Sequence, residues 1–173
     1  MKKTIATLAI SGGLVLALTL TSLADMPDGA LLAKGIHGTT SWQVFVHPDR
    51  GIRGGHRPCF EPVSGRSSFS LCGNLRDHPV IAAKSDGAGR REFTVLVLGY
   101  KNSVHSVRLF LGGRRARRVA LTQAPEAIRR RARVREFRYA VRVFSGSFCL
   151  RRVVALGATE RVLDPGVEHS CDE

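Results

Sequence analysis

The chain has 173 residues, with 27 lysines and arginines against 14 aspartates and glutamates, and a formal net charge of +13. Hydrophobic residues make up 43% of it, which excludes an intrinsically disordered chain and is enough to build a packed core. The excess of positive charge favours anionic partners over cationic ones.

The first 24 residues have the three parts of a secretory signal peptide. Lys2 and Lys3 precede an apolar run over residues 4–20, and Ser22-Leu23-Ala24 places small residues where a signal peptidase cleaves. A membrane anchor is the alternative, but the run is short for a span and Gly12-Gly13 interrupts it. Cleavage after Ala24 predicts a secreted protein, extracellular or in the cell envelope, that does not span the membrane. The 149 residues that remain have the length of one domain.

Residues 25–40 are small, polar and glycine-containing, and they predict a flexible N-terminal arm. The pattern from residue 41 to residue 173 indicates a single disulfide-bonded β domain. In residues 41–47 the apolar side chains of Trp42, Val44 and Val46 recur at every second position and so share one face. This is the period-two pattern of a half-buried strand. A loop rich in glycine and arginine follows.

The middle of the chain predicts several further strands. Residues 68–72 predict a short strand, and residues 77–89 predict a loop with an edge piece at 79–81. The segment 93–100 is the clearest core strand because it is apolar on both faces. Gly112-Gly113 separates two strand-like runs, 107–111 and 114–121, and this pattern predicts a hairpin.

The last third contains one ambiguous segment. Residues 125–134 predict a loop with one or two helical turns, because Pro125 and Glu126 suit a first turn but the apolar stripe is thin. Residues 137–144 predict a strand with its arginines facing water. Residues 148–156 and 161–163 predict a final hairpin, and an acidic C-terminal tail begins at Asp164.

Seven or eight short strands with no long helix predict an all-β fold, an antiparallel β-sandwich. We expect the immunoglobulin-like version first, and a small β-barrel is the alternative. In the immunoglobulin-like version the single tryptophan, Trp42, would pack near a disulfide.

Four cysteines remain after cleavage: Cys59, Cys72, Cys149 and Cys171. An even number in an exported chain predicts two disulfides, with three pairings open. We favour Cys59–Cys72 and Cys149–Cys171, because each bridge closes a short loop within its own half of the chain. None of the spacings is the short C-x-x-C type of a zinc site, so no metal is expected.

A set of single residues and short runs resembles a pattern in exported proteins of high-GC Gram-positive bacteria. The resemblance implies export and a β-sandwich, and it implies no activity. It rests on these positions: Trp42, Cys59, Cys72-Gly73, Val97 and Gly99, Val107-Arg108, Phe148-Cys149, Val154-Ala155-Leu156 and Val162-Leu163.

The positive charge is concentrated in residues 101–161, which hold sixteen basic and three acidic residues. Guanidinium groups suit phosphate and carboxylate because their planar donors match two oxygens at once. We therefore predict an arginine face that holds an anionic polymer or anionic surface, with no specificity for nucleic acid. The alternative is a solvated face that reflects an arginine-rich composition. The predicted face consists of two clusters: Arg114, Arg115, Arg117 and Arg118, then Arg129, Arg130, Arg131 and Arg133.

The sequence favours a non-enzymatic binding or structural domain over an enzyme. The alternative is a small secreted hydrolase that uses histidines of the 47–78 region, His47, His56 and His78, with Asp49 and Asp77 beside two of them. No nucleophile turn, phosphate loop or metal-ligand spacing accompanies these histidines. We expect no catalytic residue, no metal and no cofactor.

Overall fold

The computed structural model describes residues 29–49, 57–65, 67–112, 116–146, 149–166 and 168. The predicted signal peptide, residues 1–24, and its cleavage site lie outside these ranges. Within them, no helix has the length and apolar character that a membrane crossing requires.

The described residues form thirteen strands and one α-helix, and all strand pairs are antiparallel. In chain order the elements are β1 (Ala30–His37), β2 (Thr40–Pro48), β3 (Pro58–Ser64), β4 (Ser67–Ser68), β5 (Leu71–Cys72), β6 (Val80–Asp86), β7 (Phe93–Tyr100), β8 (Ser106–Leu111), β9 (Arg117–Ala120), β10 (Thr122–Gln123), α1 (Glu126–Ala132), β11 (Arg138–Ser145), β12 (Leu150–Leu156) and β13 (Val162–Asp164).

The strands fall into three open sheets. Sheet 1 has the order β1-β2-β3-β4, with β5 also paired to β3. Sheet 2 has the order β10-β11-β7-β6, and sheet 3 has the order β13-β12-β8-β9. The architecture is all-β and sandwich-like, which confirms the predicted fold class.

Sheet 2 is the middle layer, and β7 shows why. All eight residues of β7 are buried. Phe93, Val95 and Val97 pack into an apolar cluster with sheet 1, whereas Leu96 and Leu98 pack into a second cluster with sheet 3. Because successive side chains of a strand point to opposite faces, the apolar character of both faces of β7 serves two cores at once.

Residues 30–37 form β1, where the sequence predicts a flexible arm over residues 25–40. The arm prediction is therefore wrong for this part of the chain. β1 pairs with β2, and in this register Gly35 lies opposite Trp42. A side chain at Gly35 would collide with the indole ring of Trp42. The glycine that indicated a loop is instead a strand position over which a large ring packs.

A disulfide joins Cys59 of β3 to Cys72 of β5, the pairing that the short-loop criterion favours. No cysteine in the described ranges is a free thiol, and Cys171, the predicted partner of Cys149, lies outside them. In the β2–β3 register Cys59 lies opposite His47, five residues along β2 from Trp42. This separation is about 17 Å along a strand. The expected packing of Trp42 near a disulfide is therefore wrong for this bridge.

The predicted hairpins are present, since β8 pairs with β9 and β12 pairs with β13. The predicted edge piece is longer than expected, because β6 spans 80–86 at the edge of sheet 2. The ambiguous segment contains the short helix α1, in which Glu126 pairs with Arg130 one turn later. The helix ends at Arg133, whose φ of 52° is left-handed.

The arginines of β11 differ in their surroundings. Arg142 is exposed, as the alternation predicts. Arg138 instead donates from its Nε to the carbonyl oxygen of Asn102 at 3.1 Å and from its Nη1 to that of Leu121 at 3.3 Å. The prediction that the arginines of this strand face water holds for Arg142 and is wrong for Arg138, which ties β11 to two neighbouring turns.

Candidate functional site

A cleft of about 860 Å³ opens where five separate segments of the chain meet. We call it the cationic cleft. The segments are the start of β3, the β5–β6 connection, the end of β7, α1, and the residues that lead into β11. The lining residues are Arg57, Pro58, Asn74, Leu75, Arg76, Lys101, Arg129, Arg135, Glu136 and Phe137.

The β5–β6 connection is held in a tight turn that fixes one wall of the cleft. The backbone N–H groups of Asp77 and His78 both donate to the carbonyl oxygen of Asn74, at 2.9 and 3.0 Å. The side chain of Asn74 donates to the Asp77 carboxylate and accepts from the N–H of Arg76 at 3.3 Å. Leu75 is buried as a result, and Arg76 is left exposed at the rim.

The charge of the cationic cleft is unbalanced, with five cationic side chains and one carboxylate. Glu136 accepts from Arg129 at 3.4 Å and from the amide of Asn102 at 2.6 Å, so it neutralises one cation. The other four side chains are exposed, and none lies within ion-pair distance of a described carboxylate. These four are Arg57, Arg76, Lys101 and Arg135.

The structure separates the described residues of the two predicted arginine clusters. Arg117 and Arg118 lie on β9 in sheet 3, where Arg118 forms an ion pair with Glu160. α1 carries most of the second cluster and packs against β1 and β2 of sheet 1. The described residues of the two clusters therefore belong to different outer layers of the fold. Arg114 and Arg115 lie outside the described residues.

The second cluster contributes one residue to the cationic cleft. Arg129 lines it and also donates from its Nε to the carbonyl oxygen of Ala124 at 3.2 Å. Arg130 pairs with Glu126, while Arg131 and Arg133 are exposed outside the lining. Sequence reasoning missed the other cationic residues of the cleft, because they lie outside the two arginine clusters and only the fold brings their segments together.

A smaller cavity of about 190 Å³ adjoins the cationic cleft. Leu75, Arg76 and Lys101 line both, so they form a shared wall. The rest of the smaller cavity is lined by Asp77, His78, Pro79, Tyr100, Val104, Ala155, Leu163 and Asp164. Burial, and to a lesser extent the nearby charge of Asp164, raises the pKa of Tyr100 above its usual value. We call this space the tyrosine cavity.

The histidines of the predicted hydrolase site do not gather in one place. His78 lines the tyrosine cavity, whereas His47 lies on β2 in sheet 1. His56 lies outside the described residues. A carboxylate oxygen of Asp49 lies within 4.8 Å of the Cys59 and Cys72 sulfurs. These sulfurs are joined in a disulfide, so neither is the thiolate that binds a metal ion.

His47 does contact a hydroxyl and a carboxylate. Its Nδ1 is 3.1 Å from the carbonyl oxygen of Pro48, so in the neutral ring Nδ1 carries the proton and Nε2 accepts. Ser70 Oγ lies 3.0 Å from Nε2, and Glu61 Oε2 lies 3.6 Å from the same nitrogen. A serine–histidine–carboxylate triad places its carboxylate at Nδ1. This cluster therefore lacks the triad's geometry, although it contains a serine–histidine hydrogen bond.

No protein-family model, curated protein or solved structure matches this chain. The functional inference therefore rests on the geometry of the cationic cleft and on the sequence.

Proposed function

We propose that this chain is a secreted, non-enzymatic binding domain that holds an anionic polymer or anionic surface in its cationic cleft. One observation carries the proposal: four exposed cations from four separate segments line one cleft without a carboxylate partner in the described residues. They are Arg57, Arg76, Lys101 and Arg135.

Electrostatics supports a bound anion at this place. Like charges gathered in a concave site repel one another, and the surrounding low-dielectric walls focus their field into the cleft. An anion relieves this repulsion. Each guanidinium group of the cleft can offer two donors, in a fixed planar geometry, to a phosphate, sulfate or carboxylate. Water molecules offer their donors without that fixed geometry.

Export is part of the proposal and is supported by two features of the chain. The first 24 residues have the pattern of a secretory signal peptide. The Cys59–Cys72 disulfide suits an oxidising compartment outside the cytosol. The immunoglobulin-like arrangement and the resemblance to exported proteins of high-GC Gram-positive bacteria stay predictions of the sequence.

The proposal predicts the salt dependence of anion binding. A short single-stranded DNA oligonucleotide serves as a sequence-independent polyphosphate probe, because each neutralised phosphate releases counterions. We expect the cleft variant, with four substitutions to glutamine, to lower the slope of log affinity against log salt by about 3, at about 0.7 per lost phosphate contact. Its substitutions are Arg57→Gln, Arg76→Gln, Lys101→Gln and Arg135→Gln.

A second quadruple variant provides the matched control. It removes the same charge from the exposed arginines of the two predicted clusters and leaves the cationic cleft intact. We expect its salt slope to stay close to that of the unmodified protein. Equal losses in both variants would mean that net charge alone retains the probe, and the proposal would then be wrong. The control substitutions are Arg117→Gln, Arg118→Gln, Arg131→Gln and Arg133→Gln.

The hydrolase alternative has one observation in its favour, the hydrogen bond between Ser70 and His47. A fluorophosphonate reagent tests it, because such reagents label only an activated serine. Stoichiometric labelling of Ser70 that disappears in the His47→Ala variant would support a hydrolase. We expect no labelling, since the carboxylate is not placed to orient the imidazole.

A further inference from the structure

Exposed apolar side chains accompany the positive charge of the cationic cleft. Six large apolar side chains of the described residues are exposed, and four of them belong to two short segments. Phe69 and Leu71 come just before the β5–β6 connection, which forms one wall of the cleft, and Val162 and Leu163 lie on β13. Single exposed apolar residues are common, so the position of these four relative to the cleft decides their meaning.

Leu71 lies beside the wall of the cationic cleft that β3 forms. In the β3–β5 register it is opposite Phe60, and directly opposed side chains share one face of a sheet. Phe60 packs edge-on against Phe137, which lines the cleft. The N–H of Gly73, two residues after Leu71, donates at 3.3 Å to the carbonyl oxygen of Pro58, another lining residue. Leu71, which is 40% exposed, therefore flanks the cleft.

Leu163 lies beside a second wall of the cationic cleft. It lines the tyrosine cavity, which shares Leu75, Arg76 and Lys101 with the cleft. Leu163 is 44% exposed and its neighbour Val162 is 50% exposed, and β13 is an edge strand of sheet 3. Apolar side chains therefore reach solvent beside two different walls of the cleft.

A surface that combines cations with exposed apolar side chains suits a lipid membrane better than a soluble polymer. Proteins adsorb to a bilayer through attraction to anionic headgroups and through burial of apolar area at the interface. A soluble polyphosphate or acidic polysaccharide neutralises the cations and leaves the apolar side chains in water. An anionic bilayer offers a partner to both groups of side chains.

We propose that the anionic partner of this protein is the surface of a lipid bilayer with anionic headgroups. The cationic cleft faces the headgroups, while Leu71, Val162 and Leu163 enter the interface beside it. This inference rests on the proposed function and selects one class of partner for the same site. The binding is peripheral, so it needs no membrane-spanning segment.

Co-sedimentation with lipid vesicles tests this inference. One set of vesicles contains phosphatidylcholine alone, and the other contains an equal mixture of phosphatidylcholine and the anionic lipid phosphatidylglycerol. We expect the protein to bind phosphatidylcholine about a hundredfold more weakly than the mixture, because each basic residue near an anionic surface contributes about fivefold in affinity. The cleft variant should lose a similar factor on the mixed vesicles.

An apolar variant, Leu71→Ser with Leu163→Ser, separates a membrane from a soluble polymer. We expect it to bind the mixed vesicles about tenfold more weakly, because interfacial binding scales with the apolar area that is buried. Its affinity for the single-stranded oligonucleotide should stay unchanged. The matched control is Leu31→Ser with Ile36→Ser, since both residues are exposed on β1 and neither lines the cleft or the tyrosine cavity.

Tryptophan fluorescence provides a second measurement if the apolar variant fails to fold. In Leu163→Trp the added indole should enter the interface, so we expect its emission to shift to shorter wavelength on mixed vesicles. Ile36→Trp should show no such shift. Ile36 lies opposite Ser41, at the end of β2 that is distant from Pro58 of the cleft.

The outcomes distinguish failure of this inference from failure of the proposed function. Equal binding of the apolar variant and the unmodified protein to mixed vesicles would overturn the membrane inference, and so would an unshifted emission in Leu163→Trp. Oligonucleotide binding that still depends on the cleft cations would then identify a soluble polymer as the partner. If the cleft variant keeps both vesicle and oligonucleotide binding, the proposed function itself is wrong.

Discussion

Replacing Gly99 by alanine is expected to destabilise the protein by about 3 kcal/mol, the upper part of the range for overpacked cores. Gly99 lies in β7, and an added methyl group would overlap the ring of Phe60. That ring is fully buried and packs edge-on against Phe137, with ring centroids 5.5 Å apart. It has little room to retreat because interiors are close-packed. Chemical denaturation measures the loss.

Two further variants make this prediction specific. Gly157→Ala is the matched control, because its added methyl meets only ordinary contacts of 3.5 Å or more, and we expect a change below about 1 kcal/mol. Adding Phe60→Leu to Gly99→Ala should recover part of the lost stability, since a smaller side chain leaves space for the methyl group. Similar losses in Gly99→Ala and Gly157→Ala would contradict the described packing of β7 against sheet 1.

The second large effect concerns alkaline pH. The chain has two tyrosines, and burial raises the pKa of both Tyr100 and Tyr139. We expect less phenolate in the native protein than in the denatured protein at pH about 10, where half of the denatured tyrosine is ionised. Ultraviolet absorbance of the phenolate measures the difference directly.

The same shifts predict how stability depends on pH. A tyrosine whose pKa is raised in the folded state stabilises the fold while the unfolded tyrosine is neutral. This contribution is complete below about pH 10, and it is lost as the pH rises through the higher folded pKa. We therefore expect denaturation midpoints to fall above pH about 10. The variant Tyr100→Phe should reduce this fall in the denaturation midpoint. If the tyrosines of the native protein ionise at the same pH as those of the denatured protein, the burial of Tyr100 is contradicted.

The fold class could be predicted from the sequence because it depends on local alternation. Residues 93–100 are apolar on both faces, and this pattern also indicated a middle sheet. Only a strand that is covered on both faces needs apolar side chains on both. β1 could not be predicted in the same way. Its glycine at position 35 is explained only by the ring of Trp42, which reaches it through the pairing of two strands.

The candidate site was mostly beyond prediction for a different reason. Clusters of arginine stand out in a sequence, but the structure places the described residues of the two predicted clusters in different layers. The cationic cleft takes single basic residues from segments as far apart as Arg57 and Arg135, and only the tertiary fold brings them together. Among the described arginines of the predicted face, only Arg129 lines the cleft.

Mapping the binding of inorganic pyrophosphate by backbone nuclear magnetic resonance tests the central claim most directly. Pyrophosphate is small, so the amide signals that shift report where it sits. We predict that the largest shifts fall on the walls of the cationic cleft, at residues 57, 74–76, 101, 129 and 135–137. Shifts concentrated at Arg117 and Arg118, or spread evenly over the exposed arginines, would contradict a specific anion site in the cationic cleft.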